Sequence, residues 1–135
     1  MTFWKCYYHL ICATHQRQPL ITPEVKKVIY IAIEERARGM KCHILAMNAM
    51  PDHLHIAMNI PPSYSIADCM QNLKGLSAYR VNQISPDTET IFRWQKGYGV
   101  LTFGAKNLSY VQSYIENQQI HHTNDTTENY LERLS

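Results

Sequence analysis

The octapeptide His53-Leu54-His55-Ile56-Ala57-Met58-Asn59-Ile60 alternates strictly, with apolar Leu54, Ile56, Met58 and Ile60 separated by His53, His55, Ala57 and Asn59. A period of two is the signature of a strand: one set of side chains enters a core and the other set, here carrying both imidazoles, takes the opposite face. The apolar stretch Ile44 to Met50 precedes it, and Pro51-Asp52 between the two makes a strand-turn-strand signal.

The flanking segments supply the remaining elements. Leu10-Ile11-Cys12-Ala13 lies within a run from Tyr7 to Thr14 and is bounded by polar His15-Gln16-Arg17-Gln18-Pro19, which predicts a buried first strand followed by a loop. Thr22-Pro23-Glu24 signals a helix start, with Thr as N-cap and Pro at the first helical position. Val25, Val28, Ile29 and Ala32 continue it at helical spacing, and Gly39 is expected to end it by turning left-handed. Ser65-Ile66-Ala67-Asp68 has the spacing of a capping box, and Ile66, Cys69, Leu73 and Leu76 form the stripe of a second helix reaching about Ser85-Pro86. Gly75 inside it costs ~1 kcal/mol against Ala, which points to close packing or close approach of a ligand. Gly97 to Phe103 predicts a fourth strand, and Leu108, Val111 and Ile115 mark a third helix. The tail from Thr123 is polar, with a short helix expected around Glu128 to Leu134.

The order strand, helix, strand, strand, helix, strand, helix predicts an α+β fold: a ferredoxin-like antiparallel sheet with helices on one face and an additional C-terminal helix. The other face is left for a partner, a ligand or that last helix. At 135 residues, 45% hydrophobic and 18% charged, the chain is expected to form one domain over 1–135, with a core of about 7–122 and a tail of 123–135. No apolar run approaches the roughly 18 to 20 residues of a membrane span, since Asn48, Pro51, Asp52, His53 and His55 interrupt the longest one. Met1-Thr2-Phe3-Trp4-Lys5 lacks the pattern of a secretory signal, so a cytoplasmic location without membrane attachment is expected. Cys6, Cys12, Cys42 and Cys69 form no C-x-x-C pair, which argues for buried reduced thiols rather than a zinc knuckle or disulfide framework. The net charge of +2 permits nucleic-acid binding without requiring it.

Two clusters carry chemistry. His53 and His55 at i and i+2 point the same way, roughly 7 Å apart at Cα, close enough to converge on one metal ion; an exposed pair of strand histidines is the plain alternative. In the third helix Tyr114 and Gln118 are four residues apart and share a face, beside the Val111 and Ile115 stripe rather than within it; a surface Tyr and Gln is the plain alternative there.

The joint pattern is distinctive. His53-Leu54-His55 after Met50-Pro51-Asp52 resembles the histidine-hydrophobic-histidine motif of the HUH endonuclease superfamily. Tyr114-Ile115-Glu116-Asn117-Gln118 is similar to the tyrosine helix of its smallest members, the single-tyrosine transposases (TnpA) of insertion sequences and the REP-associated tyrosine transposases. Leu73-Lys74-Gly75 and Trp94-Gln95-Lys96-Gly97-Tyr98-Gly99-Val100 resemble further blocks in the same order, so the resemblance runs from Tyr7 to His122.

The resemblance implies that His53, His55 and Gln118 bind one divalent cation, Mg2+ or Mn2+. It implies that Tyr114 is the nucleophile toward single-stranded DNA, leaving a 5′-phosphotyrosine and a free 3′-hydroxyl. It also implies recognition of a DNA hairpin at the element ends and a homodimer, with the tyrosine helix completing the metal site either of its own subunit or of the other. Exchange of one phosphodiester for another needs no ATP, in keeping with the lack of a Walker-type glycine loop and the expectation of no nucleotide cofactor. Single-strand binding calls for cations and aromatic platforms, for which Lys74, Arg80, Arg93 and Lys96 with Tyr79, Trp94 and Tyr98 are the candidates. Solvated surface cations and core aromatics are their plain alternatives. Tyr110, one turn before Tyr114, stands as a second candidate nucleophile; His121 and His122 read as a helix end favoured by the dipole. The competing functions are a hairpin-binding module that does not transpose and an HUH replication initiator or relaxase-like nickase.

Overall fold

A computed structural model describes residues 3–84 and 90–117. β1 (Tyr7–Ala13) leads to α1 (Pro23–Gly39), then β2 (His43–Met50), β3 (His53–Asn59), α2 (Ile66–Ile84), β4 (Gly99–Phe103) and α3 (Leu108–Glu116). The four strands form one sheet in the order β2-β3-β1-β4, every neighbouring pair antiparallel, which is the ferredoxin-like arrangement expected from the element order. The expected helix around Glu128 to Leu134 lies outside the described residues.

Local chemistry accounts for the element ends. The Thr22 side chain accepts a hydrogen bond from the Val25 amide at 3.2 Å with Pro23 at the first helical position, and the Ser65 hydroxyl accepts from the Asp68 amide at 3.0 Å. The hairpin between β2 and β3 closes on the pair Met50 and His53, with Pro51-Asp52 as its turn.

Four expectations shift. α1 does end at Gly39, but the left-handed residue is Lys41, with φ 60°, because the chain makes a further turn through Met40 before it leaves the helix. The buried face of α2 runs through Cys69, Met70, Leu73, Ser77 and Val81, leaving Leu76 half-buried. Ser77 fits there because its hydroxyl donates to the Leu73 carbonyl at 2.7 Å and accepts from the Trp94 indole at 3.0 Å, so a polar group is buried without loss. Gly75 is exposed, and a Cβ there would meet nothing within 4 Å, so close packing is not its reason. β4 begins at Gly99 rather than Gly97, since Gly97 turns at φ 89°.

The sheet is covered on both faces. Leu10, Cys12, Leu54, Ile56 and Met58 pack with Ile29, Ile33, Cys69, Met70 and Leu73 of α1 and α2 to form the main core. On the other face Val111 and Ile115 of α3 pack on Ala46 and Ala57, with Leu45 and Phe103 alongside. Cys12, Cys42 and Cys69 are buried free thiols and Cys6 is half-buried. Among the described residues no helix is long and apolar enough to cross a membrane.

Leu54→Ala, at a fully buried position, is expected to lower stability by about 2–5 kcal/mol in urea unfolding, whereas Ile31→Ala, on the exposed side of α1, should change it by less than about 0.5 kcal/mol. Burial pushes the Cys12 thiol up to about 12, so iodoacetamide at pH 8 should label Cys6 and spare Cys12 in the folded protein, as peptide mapping would report.

Candidate active site

Antiparallel pairing decides which side chains meet on the α3 face. Ile11 of β1 lies opposite His55 and His9 lies opposite Ala57, while Asn48 of β2 flanks His55 on the other side. His9, Ile11, His53, His55, Asn48 and Ala57 therefore share the face that α3 covers. His9 and His55 are fully buried and His53 is 3% exposed.

The two predicted histidines come together, with ring centroids 5.0 Å apart and planes at 75°. Each is held through its Nδ1. His53 Nδ1 donates to Asp52 Oδ1 at 2.7 Å, and His55 Nδ1 lies 2.8 Å from His9 Nε2. The tautomer in which His55 Nδ1 carries the proton donates to His9 and places the lone pair of His55 on Nε2, as the Asp52 bond does for His53. Two neutral imidazoles oriented by outer partners fit a divalent cation. Among the described residues no group of three or more His, Cys, Asp or Glu is placed to hold an ion by itself. Gln118, the expected amide ligand, lies outside the described residues.

Burial opposes ionisation of Asp52, but the hydrogen bonds from His53 and Arg17 and the Arg17 charge outweigh it and hold the carboxyl below its usual range. Arg17 Nε donates to Asp52 Oδ2 at 3.1 Å, and Arg17 Nη2 stands 3.4 Å from His53 Nδ1. Arg17 arrives from a turn over His15–Arg17 in which Gln16 and Arg17 are both left-handed, at φ 56° and 53°. Each such residue costs roughly 1–2 kcal/mol, whereas an exposed ion pair returns about 0–1 kcal/mol. Strain of that kind persists where surrounding structure over-determines it and clusters at functional sites.

Tyr114 is 3% exposed, not on a solvent-facing flank as its spacing suggested. The buried face of α3 is wider than the Val111 and Ile115 stripe and takes in Tyr114 as well. Gln112 Nε2 donates to the carbonyl of Leu45, the extra residue of a bulge between Ile44 and Ala46, at 3.0 Å. Asn48 Nδ2 donates to the Ile115 carbonyl at 3.0 Å, so a side chain of β2 caps the end of the tyrosine helix. From the other side Tyr30 accepts from the Ala49 amide at 2.9 Å and reaches Asn48 Oδ1 at 3.4 Å; burial pushes its phenol above the ordinary value.

The candidate DNA contacts divide. Lys74 Nζ donates to the Gln95 and Gly97 carbonyls at 2.8 Å each, and burial lowers its pKa. Arg80 grips Glu35 with two bonds of 2.7 and 2.9 Å, joining α2 to α1. Trp94 packs edge-on against Phe92 and bonds Ser77. Arg93 is exposed, its Nη2 3.3 Å from His15 Nε2; Lys96 is exposed and Tyr98 half-buried against the main core. His9, Arg17 and Asn48 were missed. A histidine in an apolar first strand was the available signal for His9, while the other two depend on partners distant in the chain.

The chain belongs to the IS200-like transposases, whose family model, Transposase IS200 like, matches residues 2–118. It is 30% identical to the transposase for insertion sequence element IS200 of Salmonella typhimurium over 87% of this chain and 79% of the relative. It is 29% identical to the ISDra2 transposase TnpA of Deinococcus radiodurans over 85% of each. A crystal structure of a Deinococcus radiodurans protein with a provisional transposase assignment superposes with a TM-score of 0.70 at 30% identity, covering 87% of this chain and 93% of that one. A REP-associated tyrosine transposase bound to a REP hairpin shares the fold, with a TM-score of 0.66 at 16% identity over 90% of this chain and 72% of that one.

Tetranitromethane should nitrate exposed Tyr79 and Tyr110 while sparing Tyr114 in the native protein. Asn48→Ala removes the cap on α3, so it is expected to cost about 1 kcal/mol and to raise nitration of Tyr114, read by peptide mass spectrometry.

Proposed function

We propose that this transposase cuts and rejoins single-stranded DNA at the ends of an insertion sequence, with Tyr114 as nucleophile and His53, His55 and Gln118 as metal ligands. The observation that carries the reading is the pair of buried, outer-partnered histidines on the sheet face covered by the helix that bears Tyr114.

The Tyr114 phenolic oxygen attacks the phosphorus, a Tyr114–O–P bond forms to the 5′ side, the P–O3′ bond breaks, and the phenolic proton is balanced by one taken up at the 3′ oxygen. Attack of a 3′-hydroxyl on the phosphotyrosine reverses the exchange and joins strands with no net loss of phosphodiester bonds. A bound Mg2+ or Mn2+ supplies Lewis-acid stabilisation of the charge on the phosphate oxygens. Asp52 and His9 keep the two imidazoles in the ligating tautomer, and the covering of this face by α3 excludes water from reacting groups. A free phenol has a pKa of about 10, so a cationic setting favours the attacking phenolate.

Arg93 and Lys96, exposed beside the end of β1, and Tyr98 are proposed to follow the DNA strand; Lys74 and Trp94 brace that segment through their bonds to Gln95, Gly97 and Ser77, while Arg80 is engaged by Glu35 on α1. A hairpin is the proposed recognition element, supported by the REP-hairpin complex of the relative that shares this fold. The working unit is proposed to be a homodimer, although the contacts of Gln112 and Asn48 dock α3 on its own sheet within one chain.

The test is a denaturation-resistant protein–DNA adduct formed with single strands from the DNA flanking this reading frame. Wild type with Mn2+ or Mg2+ should form it, Tyr114→Phe should bind DNA and form none, and His53→Ala and His55→Ala should lose it at limiting Mn2+. An adduct that persists in Tyr114→Phe would remove Tyr114 from the chemistry and bring Tyr110 forward.

A further inference from the structure

We infer that Arg17 binds the phosphate that Tyr114 attacks, holding its non-bridging oxygens beside the histidine pair. The inference rests on the reading above and adds to it a residue that the metal and nucleophile assignments do not include.

The turn that delivers Arg17 is built for the purpose. Thr14, fully buried, shares its hydroxyl hydrogen between the Gln18 carbonyl at 2.6 Å and the Asp52 carbonyl at 3.1 Å. Its amide also donates to the Asp52 carbonyl at 2.9 Å, and the Arg17 amide returns to the Thr14 carbonyl at 2.9 Å. The His15 amide donates to the Arg93 carbonyl at 2.9 Å. These bonds hold Gln16 and Arg17 left-handed and tie the turn to the β2–β3 hairpin, next to His53.

The guanidinium is then underused by its neighbours. Asp52 gives one oxygen to each of two donors, Oδ1 to His53 and Oδ2 to Arg17 Nε. With its Nδ1 proton committed to Asp52, His53 presents no lone pair on that nitrogen, so the 3.4 Å approach of Arg17 Nη2 engages that donor only weakly. A guanidinium has five N–H donors and Asp52 takes one of them, while the side chain is 46% exposed. Asp52 joins the guanidinium to His53 through one oxygen each, and the part-exposed guanidinium keeps further N–H donors for a second anion beside the histidine pair. A phosphodiester fits there, offering one non-bridging oxygen to each side, and the planar fork of Arg matches it.

Bracing of Asp52 alone is the competing role, and the two separate on metal dependence. Adduct formation is followed with the flanking-DNA strands for wild type, Arg17→Ala and Arg17→Lys across a Mn2+ titration, with thermal unfolding as a check on folding. A phosphate contact predicts that Arg17→Ala loses about 10²–10³-fold in rate at saturating Mn2+ and that Arg17→Lys recovers part of it. Restoration of the full rate by added Mn2+, or a rate unchanged throughout, would overturn the inference. Affinity measured in a Tyr114→Phe background reads the same contact without chemistry. There Arg17→Ala should weaken binding of a strand that contains the target phosphate, lower the salt slope by about 0.7, and leave a strand ending short of it unaffected. Equal losses for both strands would reject the contact. A wild type that forms no adduct yet shows this strand-dependent loss would instead reject the transposition chemistry and keep Arg17 as a phosphate ligand.

Discussion

The antiparallel pairing of β1 with β3 at the middle of the sheet is the constraint from which the rest of the structure follows. Its register sets Leu10 against Ile56 and Cys12 against Leu54 on one face, and Ile11 against His55 and His9 against Ala57 on the other. A slip of one residue would send every side chain of β3 to the opposite face, placing the imidazoles among the leucines of the main core. The register is strongly specified because that core would lose several fully buried aliphatic side chains, each worth about 1.5–3 kcal/mol. The histidines are thus held in place by packing on the opposite face of the sheet.

The second face depends on α3, which has only nine residues and would not be stable as a helix by itself. Alanines at 46 and 57 let Val111 and Ile115 come close to the sheet, and the bulge at Leu45 turns a backbone carbonyl toward Gln112. Asn48 then fixes the far end of the helix through Ile115. The result is a buried Tyr114 on the same face as a buried histidine pair, so the position of Tyr114 is linked through β2 to Tyr30 on α1. The Asp52 hairpin adds a charged edge to this dry interior, where one carboxylate orders both an imidazole and a guanidinium.

Features made by neighbours in the chain were legible beforehand. Thr22-Pro23, Ser65-Ile66-Ala67-Asp68 and Pro51-Asp52 act within a few residues, and each performs the predicted cap or turn. The His53 and His55 pair was legible for the same reason, since period two alone places both rings on one face. Where a partner lies far away, the reading shifted. Leu76 looked like core until Ser77 found Trp94, and Lys74, Arg80 and Trp94 looked available for DNA although Gln95, Gly97, Glu35 and Ser77 already engage them. Tyr114 looked exposed because helical spacing describes a stripe, not the breadth of the surface that covers it.

The sequence by itself determined the order of elements, the alternation that commits β3 to two different faces, and the identities of the histidine pair and the tyrosine, because these are properties of local backbone geometry and side-chain type. Only the tertiary structure decided that His9 stands behind His55, that Arg17 reaches Asp52 from a strained turn, and that Asn48 caps α3, across separations of 46, 35 and 67 residues. Such contacts are set by strand register and by which face each helix covers, and those are chosen by burial summed over the whole core rather than by any segment alone.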